Sequence, residues 1–209
     1  MRSFSSDRRA SVFLIDLKVR EFASLKFKVK FYKQEIEGVW LVEAEPIIDT
    51  RGVFRRHYCQ EEYNNNGLQF NIAQTNISEN PQKYTLRGFH YQVKPFEENK
   101  TLACLRGSLY DVIVDLRPDS STFLKHISIE LSGKDNLSLY VPAGCSNAYL
   151  TLEDSTTILY YMSEFFHANS YRGFRYNDPN FLINWPFNPK VISPKDQSYP
   201  DLDLKTFDK

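Results

Sequence analysis

The chain has few of the residue types that build metal and redox sites. Among its 209 residues there are four histidines and three cysteines. Neither type forms a His-x-His or Cys-x-x-Cys pair, and no nearby carboxylate stands at ligand spacing from a histidine. A glycine-rich phosphate loop and a Gly-x-Ser-x-Gly motif are also missing. We therefore expect no metal site.

The chain also lacks an excess of either charge, and it lacks long apolar runs. Lys and Arg together number 26, as do Asp and Glu, so composition gives no reason to expect nucleic acid or a membrane surface as partner. No apolar run approaches the ~20 residues that span a bilayer. Three cysteines, Cys59, Cys104 and Cys145, are an odd number without metal-ligand spacing. This usage is typical of a reduced, cytoplasmic protein.

Aromatic residues, by contrast, are abundant, with 16 Phe and 13 Tyr. Such side chains favour pleated, half-buried surfaces, which indicates an all-β fold. In 108–116, apolar side chains at even positions alternate with Asp111 and Asp115, and shorter alternations follow in 127–131 and 137–141. Period-two patterns separated by turn residues predict a sandwich or barrel.

Residues 31–209 fit one domain, which is long enough to bury a core. Segments 41–48 and 70–77 are further candidate strands, and 49–52 is a turn. A short helix is predicted at 60–66. After Phe166 the chain is irregular and should pack against the domain. Residues 1–30 are basic and rather Ser-rich, and we expect a non-catalytic extension there.

The densest polar cluster is 86–100, which places Arg87, His90, Gln92 and Lys100 among aromatic residues. A lone strand histidine is more often structural than catalytic, and a lone lysine is more often a surface charge. If these residues lie close together, however, the imidazole of His90 could remove a proton from carbon. Arg87 and Lys100 could then hold a phosphate or an enolate oxygen.

A basic imidazole needs an orienting carboxylate, and Asp111, Asp115, Asp178 and Asp196 are all candidates. Arg87 and His90 have opposite parity on a regular strand. Both can reach one site only if the strand bends, and Gly88 between them permits a bulge.

Tyr160 lies in a strand-like run that has Ile158 and Met162 on the same face. Core packing with a satisfied hydroxyl is the plainer interpretation of this residue. A tyrosine that points into the mouth of a barrel could instead donate a proton.

These residues belong to an ordered set of motifs that resembles the dTDP-4-dehydrorhamnose 3,5-epimerase family from about Phe31 to Leu202. Each motif is weak alone, and the order is specific. The motifs are Asp49-x-Arg51-Gly52-x-Phe54, Gln74-x-Asn76-x-Ser78, Leu86-Arg87-Gly88-x-His90-x-Gln92, Gly107-x-x-x-Asp111-Val112-x-Val114-Asp115-Leu116-Arg117, Val141-Pro142-x-Gly144, Leu159-Tyr160, Tyr176-Asn177-Asp178-Pro179, Trp185-Pro186 and Ser193-x-Lys195-Asp196.

The resemblance implies a cupin-like jelly-roll barrel with short peripheral helices and an irregular C-terminal segment. It also implies a homodimer that works without metal or organic cofactor on a nucleoside-diphosphate 4-keto-6-deoxyhexose. By the family pattern His90 is the base, held by Asp196, Tyr160 is the acid on the opposite face, and Lys100 stabilises the enolate. The substrate-binding residues would be Arg51 (reaching across the dimer), Phe54, Gln74, Asn76, Arg87, Gln92, Asn147, Phe165 and Lys195.

The chain departs from that pattern around the pocket. Asn147 stands where the family commonly has histidine, and Arg56 stands where a glutamate is common. Tyr161, Phe165 and Phe166 also differ from the residues that are common in the family at these positions. A 3,5-epimerase that makes an activated deoxysugar for surface polysaccharide is the leading hypothesis. A single-centre epimerase, a 3,4-ketoisomerase and a non-catalytic nucleotide-sugar-binding jelly roll remain alternatives.

Overall fold

The computed structural model describes residues 29–68 and 70–207. The predicted extension, 1–30, lies outside the described residues except for its last two positions. Those two, Val29 and Lys30, belong to the first strand, so the described β-structure begins two residues before the predicted boundary at Phe31.

Strands dominate the described part of the chain, which confirms the predicted all-β class. Two short helices, α1 (Gln60–Asn65) and α2 (Pro194–Ser198), and a 3₁₀ turn (Leu204–Phe207) accompany them. The strands are β1 (Val29–Lys33), β2 (Trp40–Ala44), β3 (Ile47–Asp49), β4 (Gly52–Phe54), β5 (Gln74–Asn80), β6 (Thr85–Gln92), β7 (Lys100–Arg106), β8 (Ser108–Asp115), β9 (His126–Ser132), β10 (Leu137–Val141), β11 (Cys145–Thr151), β12 (Thr156–Met162), β13 (Tyr171–Gly173) and β14 (Val191–Ile192).

Two sheets pack face to face and form the predicted jelly roll. The first sheet has the order β1-β2-β10-β7-β12-β5, and the second has β13-β6-β11-β8-β9 with β14 parallel to β6. The hairpin β3–β4 stands apart from both. Apolar side chains from the inner faces form the main core, for example Leu102, Ile113 and Leu139.

The predicted alternation along β8 is real, although both of its faces are buried. Leu109 and Ile113 point into the core between the sheets. Val112 and Val114 point outward, where Phe174 and other side chains of the C-terminal segment cover them. The irregular chain after Phe166 therefore packs against the domain, as predicted, and turns the second sheet into a middle layer.

Two predicted strands have the wrong bounds. Segment 41–48 is divided between β2 and β3, because Pro46 between them has no amide proton for a ladder. Segment 70–77 becomes strand only at Gln74. Phe70 instead packs with Tyr63 and Tyr140 on the outer face of the first sheet.

The bulge predicted at Gly88 is present in β6. Against β11, Asn147 pairs with His90 and Tyr149 pairs with Arg87, so β6 holds one residue more than its partner over this stretch. Gly88 has φ +118°, and a Cβ there would lie 2.5 Å from the Cα of Ala148. Only glycine fits this position, and the extra residue lets Arg87 and His90 line the same cavity.

Candidate active site

A cavity of about 660 Å³ opens between the two sheets and brings most of the predicted site residues together. It is large enough for a substantial part of a nucleotide sugar. Eight predicted residues line it, namely Asn76, Arg87, His90, Lys100, Asn147, Tyr160, Lys195 and Asp196.

His90 and Asp196 form the contact that the resemblance implied. The Nε2 atom of His90 lies 2.7 Å from Oδ1 of Asp196. Asp196 sits in the first turn of α2, where its amide donates to the Ser193 hydroxyl at 3.0 Å. The amide of Gly88 donates to its second oxygen at 3.4 Å. The carboxylate is thus fixed by a helix cap and by the bulge of β6.

The ionisation of Asp196 and the tautomer of His90 follow from this contact. Burial alone would raise the pKa of Asp196, but the hydrogen bonds from His90, Gly88 and Ser193 and the His90 charge together lower it. An ionised carboxylate only accepts, so Nε2 of His90 carries the proton that is shared with Asp196. The lone pair of the neutral imidazole is then on Nδ1, which is the nitrogen that can act as base.

Two tyrosine rings flank the imidazole, and neither was predicted to lie there. The Tyr171 ring centroid is 5.2 Å from that of His90, and the Tyr199 centroid is 6.1 Å away. The Lys195 ammonium lies 4.4 Å above the Tyr171 ring. These contacts restrict the rotation of His90 and bring a cation to the cavity wall.

Tyr160 enters the cavity from β12 in the first sheet, whereas His90 enters from β6 in the second sheet. Burial raises the pKa of Tyr160 well above 10, so its hydroxyl stays protonated near neutral pH. A base and a proton donor therefore reach one cavity from opposite walls.

Lys100 is fully engaged by protein acceptors. Its ammonium donates to the backbone oxygen of His90 at 2.9 Å and to Oδ1 of Asn147 at 3.2 Å, and it pairs with Oε1 of Glu98 at 3.2 Å. Three acceptors match its three protons. Unless one of these bonds breaks, Lys100 can act on an enolate through its charge alone.

Asn147 links Lys100 to a second buried carboxyl. Its Nδ2 donates to Asp111 at 3.2 Å and 3.4 Å. Burial raises the pKa of Asp111 to about 8, and the Asn147 hydrogen bond and the Lys100 charge oppose this shift only in part. Four carboxylates were candidates for the partner of His90. Asp196 makes that contact, and Asp111 instead belongs to the network of Lys100 and Asn147.

Three predicted binding residues do not line the cavity. Gln92 is buried, donates to the backbone oxygens of Phe96 and Phe165, and accepts from the amide of His167. The hydrogen bonds of its side-chain amide therefore hold the loop after β12. Gln74 accepts from the amide of Phe166 in the same way. The Phe165 side chain is exposed and lies away from the cavity lining.

Arg51 and Phe54 also lie outside the cavity, on the β3–β4 hairpin. Arg51 pairs with Asp49 at 2.6 Å, and its side chain is 77% exposed. The hairpin also exposes Ile48 and Val53. Neither predicted residue contributes to the cavity of its own chain.

Sequence reasoning missed several residues that do line the cavity: Ser78, Glu98, Tyr149 and Tyr171. Ser78 stands in the Gln74-x-Asn76-x-Ser78 motif at the parity of Asn76, which could have indicated it. Glu98 precedes Lys100 by two positions and shares its parity. Tyr149 and Tyr171 carried no signal beyond aromatic character.

Residues 29–68 and 70–207 contain neither a candidate metal cluster nor a helix that could span a membrane. In that part of the chain, no group of three His, Cys, Asp or Glu side chains is close enough to hold a metal ion. The helices described there are too short and too polar to cross a membrane.

Comparison with known proteins gives a consistent result. A family model described as dTDP-4-dehydrorhamnose 3,5-epimerase matches residues 33–203. The chain is 36% identical to the dTDP-4-dehydrorhamnose 3,5-epimerase of Sinorhizobium fredii (strain NBRC 101917 / NGR234) over 173 residues, which are 82% of this chain and 89% of that protein.

Solved structures agree with this result. The dTDP-4-dehydrorhamnose 3,5-epimerase from Bacillus anthracis str. Ames, with TDP and PPi bound, has a TM-score of 0.81 at 31% identity, covering 84% of this chain and 100% of that chain. A 3'-monoepimerase from Streptomyces bikiniensis in complex with dTDP-quinovose has a TM-score of 0.76 at 30% identity, covering 81% and 86%.

Proposed function

Because the chain belongs to the dTDP-4-dehydrorhamnose 3,5-epimerase family, and so to the isomerases, we propose that it inverts C3, C5 or both of a nucleoside-diphosphate 4-keto-6-deoxyhexose. One observation carries the proposal: the His90–Asp196 pair and Tyr160 line the same cavity from opposite sheets. Inversion needs a base on one face of a carbon and an acid on the other.

The proposed chemistry uses the C4 ketone of the sugar. Nδ1 of His90 removes the proton from the neighbouring carbon, and the electron pair moves to the ketone oxygen as an enolate. The buried Lys100 charge stabilises that oxygen. Tyr160 then protonates the carbon from the opposite face. Asp196 keeps the proton of His90 on Nε2 before the transfer and stabilises the imidazolium after it.

The remaining groups would hold the nucleotide end. Arg87 and Lys195 add positive charge to the lining, and Asn76 adds an amide. Arginine and lysine suit a diphosphate. We further propose a homodimer in which Arg51 serves the partner's cavity, because the hairpin that carries Arg51 is exposed and apolar. Three free cysteines support a reducing compartment, the cytoplasm.

A single-centre epimerase is the second candidate. The similarity to a 3'-monoepimerase supports it. So does the similarity to a protein described as a dTDP-4-dehydrorhamnose 3-epimerase. The same base and acid serve either outcome, so the groups around the sugar decide how many centres react.

The test is solvent exchange. Purified protein is incubated in D₂O with dTDP-, CDP- and GDP-linked 4-keto-6-deoxyhexoses, and deuterium at C3 and C5 is followed by NMR. Label and inversion at both centres support a 3,5-epimerase, and label at C3 alone supports the single-centre candidate. Movement of the ketone to C3 identifies a ketoisomerase. Binding of a nucleotide sugar without any exchange would refute an enzymatic role.

A further inference from the structure

We infer that Asn80 is a positioning residue for Arg87: its side-chain amide holds the guanidinium so that both terminal nitrogens are left for the diphosphate of the substrate. The inference rests on the proposed function, because it takes Arg87 as a contact of the diphosphate. It adds to that function a residue that does not itself line the cavity.

Asn80 is a buried amide at the end of β5. Only 1% of its surface is exposed, and its backbone pairs with Thr156 of the neighbouring strand β12. Nδ2 donates to the backbone oxygen of Thr156 at 3.1 Å and to the hydroxyl oxygen of Ser78 at 3.3 Å. Oδ1 accepts from Nε of Arg87 at 3.0 Å. Both ends of the amide therefore have partners, as a buried polar group requires.

The partners of Asn80 allow only one orientation of its amide. The backbone oxygen of Thr156 can only accept, and Nε of Arg87 can only donate. A flipped amide would place its oxygen against the Thr156 oxygen and its nitrogen against the Arg87 nitrogen, so both contacts would become repulsive. The acceptor that faces Arg87 is thus fixed by the backbone of β12.

The hydrogen bond between Asn80 and Arg87 also joins the two sheets. Asn80 belongs to β5 in the first sheet, and Arg87 belongs to β6 in the second sheet, next to the bulge at Gly88. Arg87 is an exposed residue that lines the cavity. An exposed arginine ordinarily samples many rotamers, and this bond restricts them by tying the guanidinium to the opposite sheet.

The nitrogens of Arg87 that Asn80 leaves unused match a phosphate group. Nε is bound to Asn80, and the two terminal nitrogens have no hydrogen-bond or ion-pair partner among the described residues. Such a pair of parallel donors binds two oxygens of one phosphate at once. An arginine with an unbound Nε would lose its rotamer freedom when the substrate binds, which weakens binding. Because Asn80 orders the side chain beforehand, that loss does not fall on the binding step.

Loss of the Asn80 amide should therefore weaken nucleotide binding and leave the chemical step unchanged. The probe is whichever of dTDP, CDP and GDP the unaltered protein binds most tightly, and calorimetry gives its affinity. We expect Asn80→Ala to bind it about 10- to 30-fold more weakly, which corresponds to the rotamer entropy of one arginine. In the D₂O exchange experiment KM should rise by the same factor. The exchange rate at saturation should stay within about twofold, because the diphosphate contact is the same in the ground state and the transition state.

A double variant tests whether the effect passes through Arg87. Arg87→Ala alone should weaken binding of the same nucleotide, and adding Asn80→Ala should weaken it no further, because the group that Asn80 holds is gone. Asn80→Leu keeps the approximate shape of the side chain, so it separates the hydrogen bonds from the packing and should match Asn80→Ala.

Asn136→Ala is the matched control. Oδ1 of Asn136 accepts from Arg55 at 3.2 Å, and both residues lie outside the cavity lining. This variant also removes an asparagine that holds an arginine, and it should leave the affinity unchanged. Thermal denaturation checks that each variant is folded.

The contrary outcomes are distinct. If the effects of Asn80→Ala and Arg87→Ala multiply in the double variant, Asn80 does not act through Arg87. If the affinity is unchanged, the amide is idle or, where the saturated rate falls, only supports the fold of the site. Each of these results overturns the inference and leaves the proposed function intact. If the affinities behave as expected but no sugar exchanges a proton, the proposed function fails and the role of Asn80 in diphosphate binding stands. A protein that binds none of the three nucleotides would refute both.

Discussion

The ammonium of Lys100 lies 3.2 Å from Oε1 of Glu98, and the two side chains are only 7% and 4% exposed. The second carboxylate oxygen of Glu98 is buried and has no hydrogen-bond partner in the described part of the chain. The Glu98 charge is therefore held inside the protein mainly by Lys100, which makes the pair sensitive to the loss of the lysine.

Substitution of Lys100 by Met should destabilise the protein by ~3–5 kcal/mol, because it leaves the Glu98 charge buried without a partner. The double variant Glu98→Leu/Lys100→Met should recover part of that loss. Urea unfolding at neutral pH measures both values. Arg51→Met breaks an exposed ion pair and serves as the control, with an expected cost below about 1 kcal/mol. A double variant no more stable than Lys100→Met would contradict the explanation.

Substitution of Asp196 by Asn should lower the rate of proton exchange by about 10²–10⁴-fold. An amide can donate to Nε2 of His90, which moves the imidazole proton to Nδ1, and it cannot stabilise the imidazolium. The exchange experiment in D₂O measures the effect, and Asp154→Asn, at an exposed position outside the cavity, is the control. Exchange at the unaltered rate would show that the carboxylate is dispensable.

Asp115 should make part of the stability depend on pH. Burial alone would raise its pKa, but hydrogen bonds from Arg117, Ser120 and Thr122 lower it to about 2. A carboxyl whose pKa is lower in the folded than in the unfolded protein stabilises the fold at pH values above its unfolded-state pKa. That contribution is lost as the pH falls through the folded-state pKa. Asp115→Asn should therefore cost about 2 kcal/mol at neutral pH, and the difference should shrink between about pH 4 and pH 2. Urea unfolding across this range is the measurement, and a gap independent of pH would refute the assignment.

Alanine at Gly88 should disrupt the site more than alanine at another glycine with positive φ. The added Cβ would lie 2.5 Å from the Cα of Ala148, so β6 and β11 must separate. We expect a loss of ~3 kcal/mol or more together with loss of exchange activity. Gly67→Ala is the matched control, because its φ is +77° and no atom lies within 4 Å of the added Cβ. That change should cost about 1–2 kcal/mol and leave activity intact. Equal effects would mean that backbone conformation, and not the strand contact, limits position 88.

Mixed dimers test whether Arg51 acts across an interface. Arg51→Ala and His90→Ala should each be inactive alone. If Arg51 serves the partner's cavity, co-refolding the two variants should restore activity, because one cavity of each mixed dimer has both residues. About half of the dimers would be mixed, which predicts roughly a quarter of the unaltered activity by simple counting. Light scattering gives the mass of the assembly. No recovery from a dimeric mixture would place Arg51 with its own cavity.

How much could be read from the sequence differs from residue to residue. The alternation along β8 and the bulge at Gly88 depend on local parity, so they were predictable. The choice of Asp196 among four carboxylates came only from the family resemblance. Its contact with His90 spans 106 positions, and no local rule encodes such a distance.

The misses have physical causes of the same kind. Gln92 was expected to bind substrate, but tertiary contacts with the loop after β12 use its whole amide. Tyr149 carried no signal beyond aromatic character, yet it lines the cavity, and its hydroxyl contacts Ser78, which approaches from another sheet. Side-chain partners that meet only after the sheets pack cannot be inferred from periodicity.

Strand β14 has a consequence for the order in which the protein becomes active. Its two residues pair in parallel with Thr85 and Leu86 and bring Asp196 to His90. The carboxylate therefore comes from the last fifteenth of the described chain, which the ribosome makes after every long strand of that part. A nascent chain that stops before residue 191 contains every described strand except β14, but it lacks Asp196, the partner of His90. Under the proposed mechanism, efficient proton abstraction therefore requires a chain that extends past Asp196.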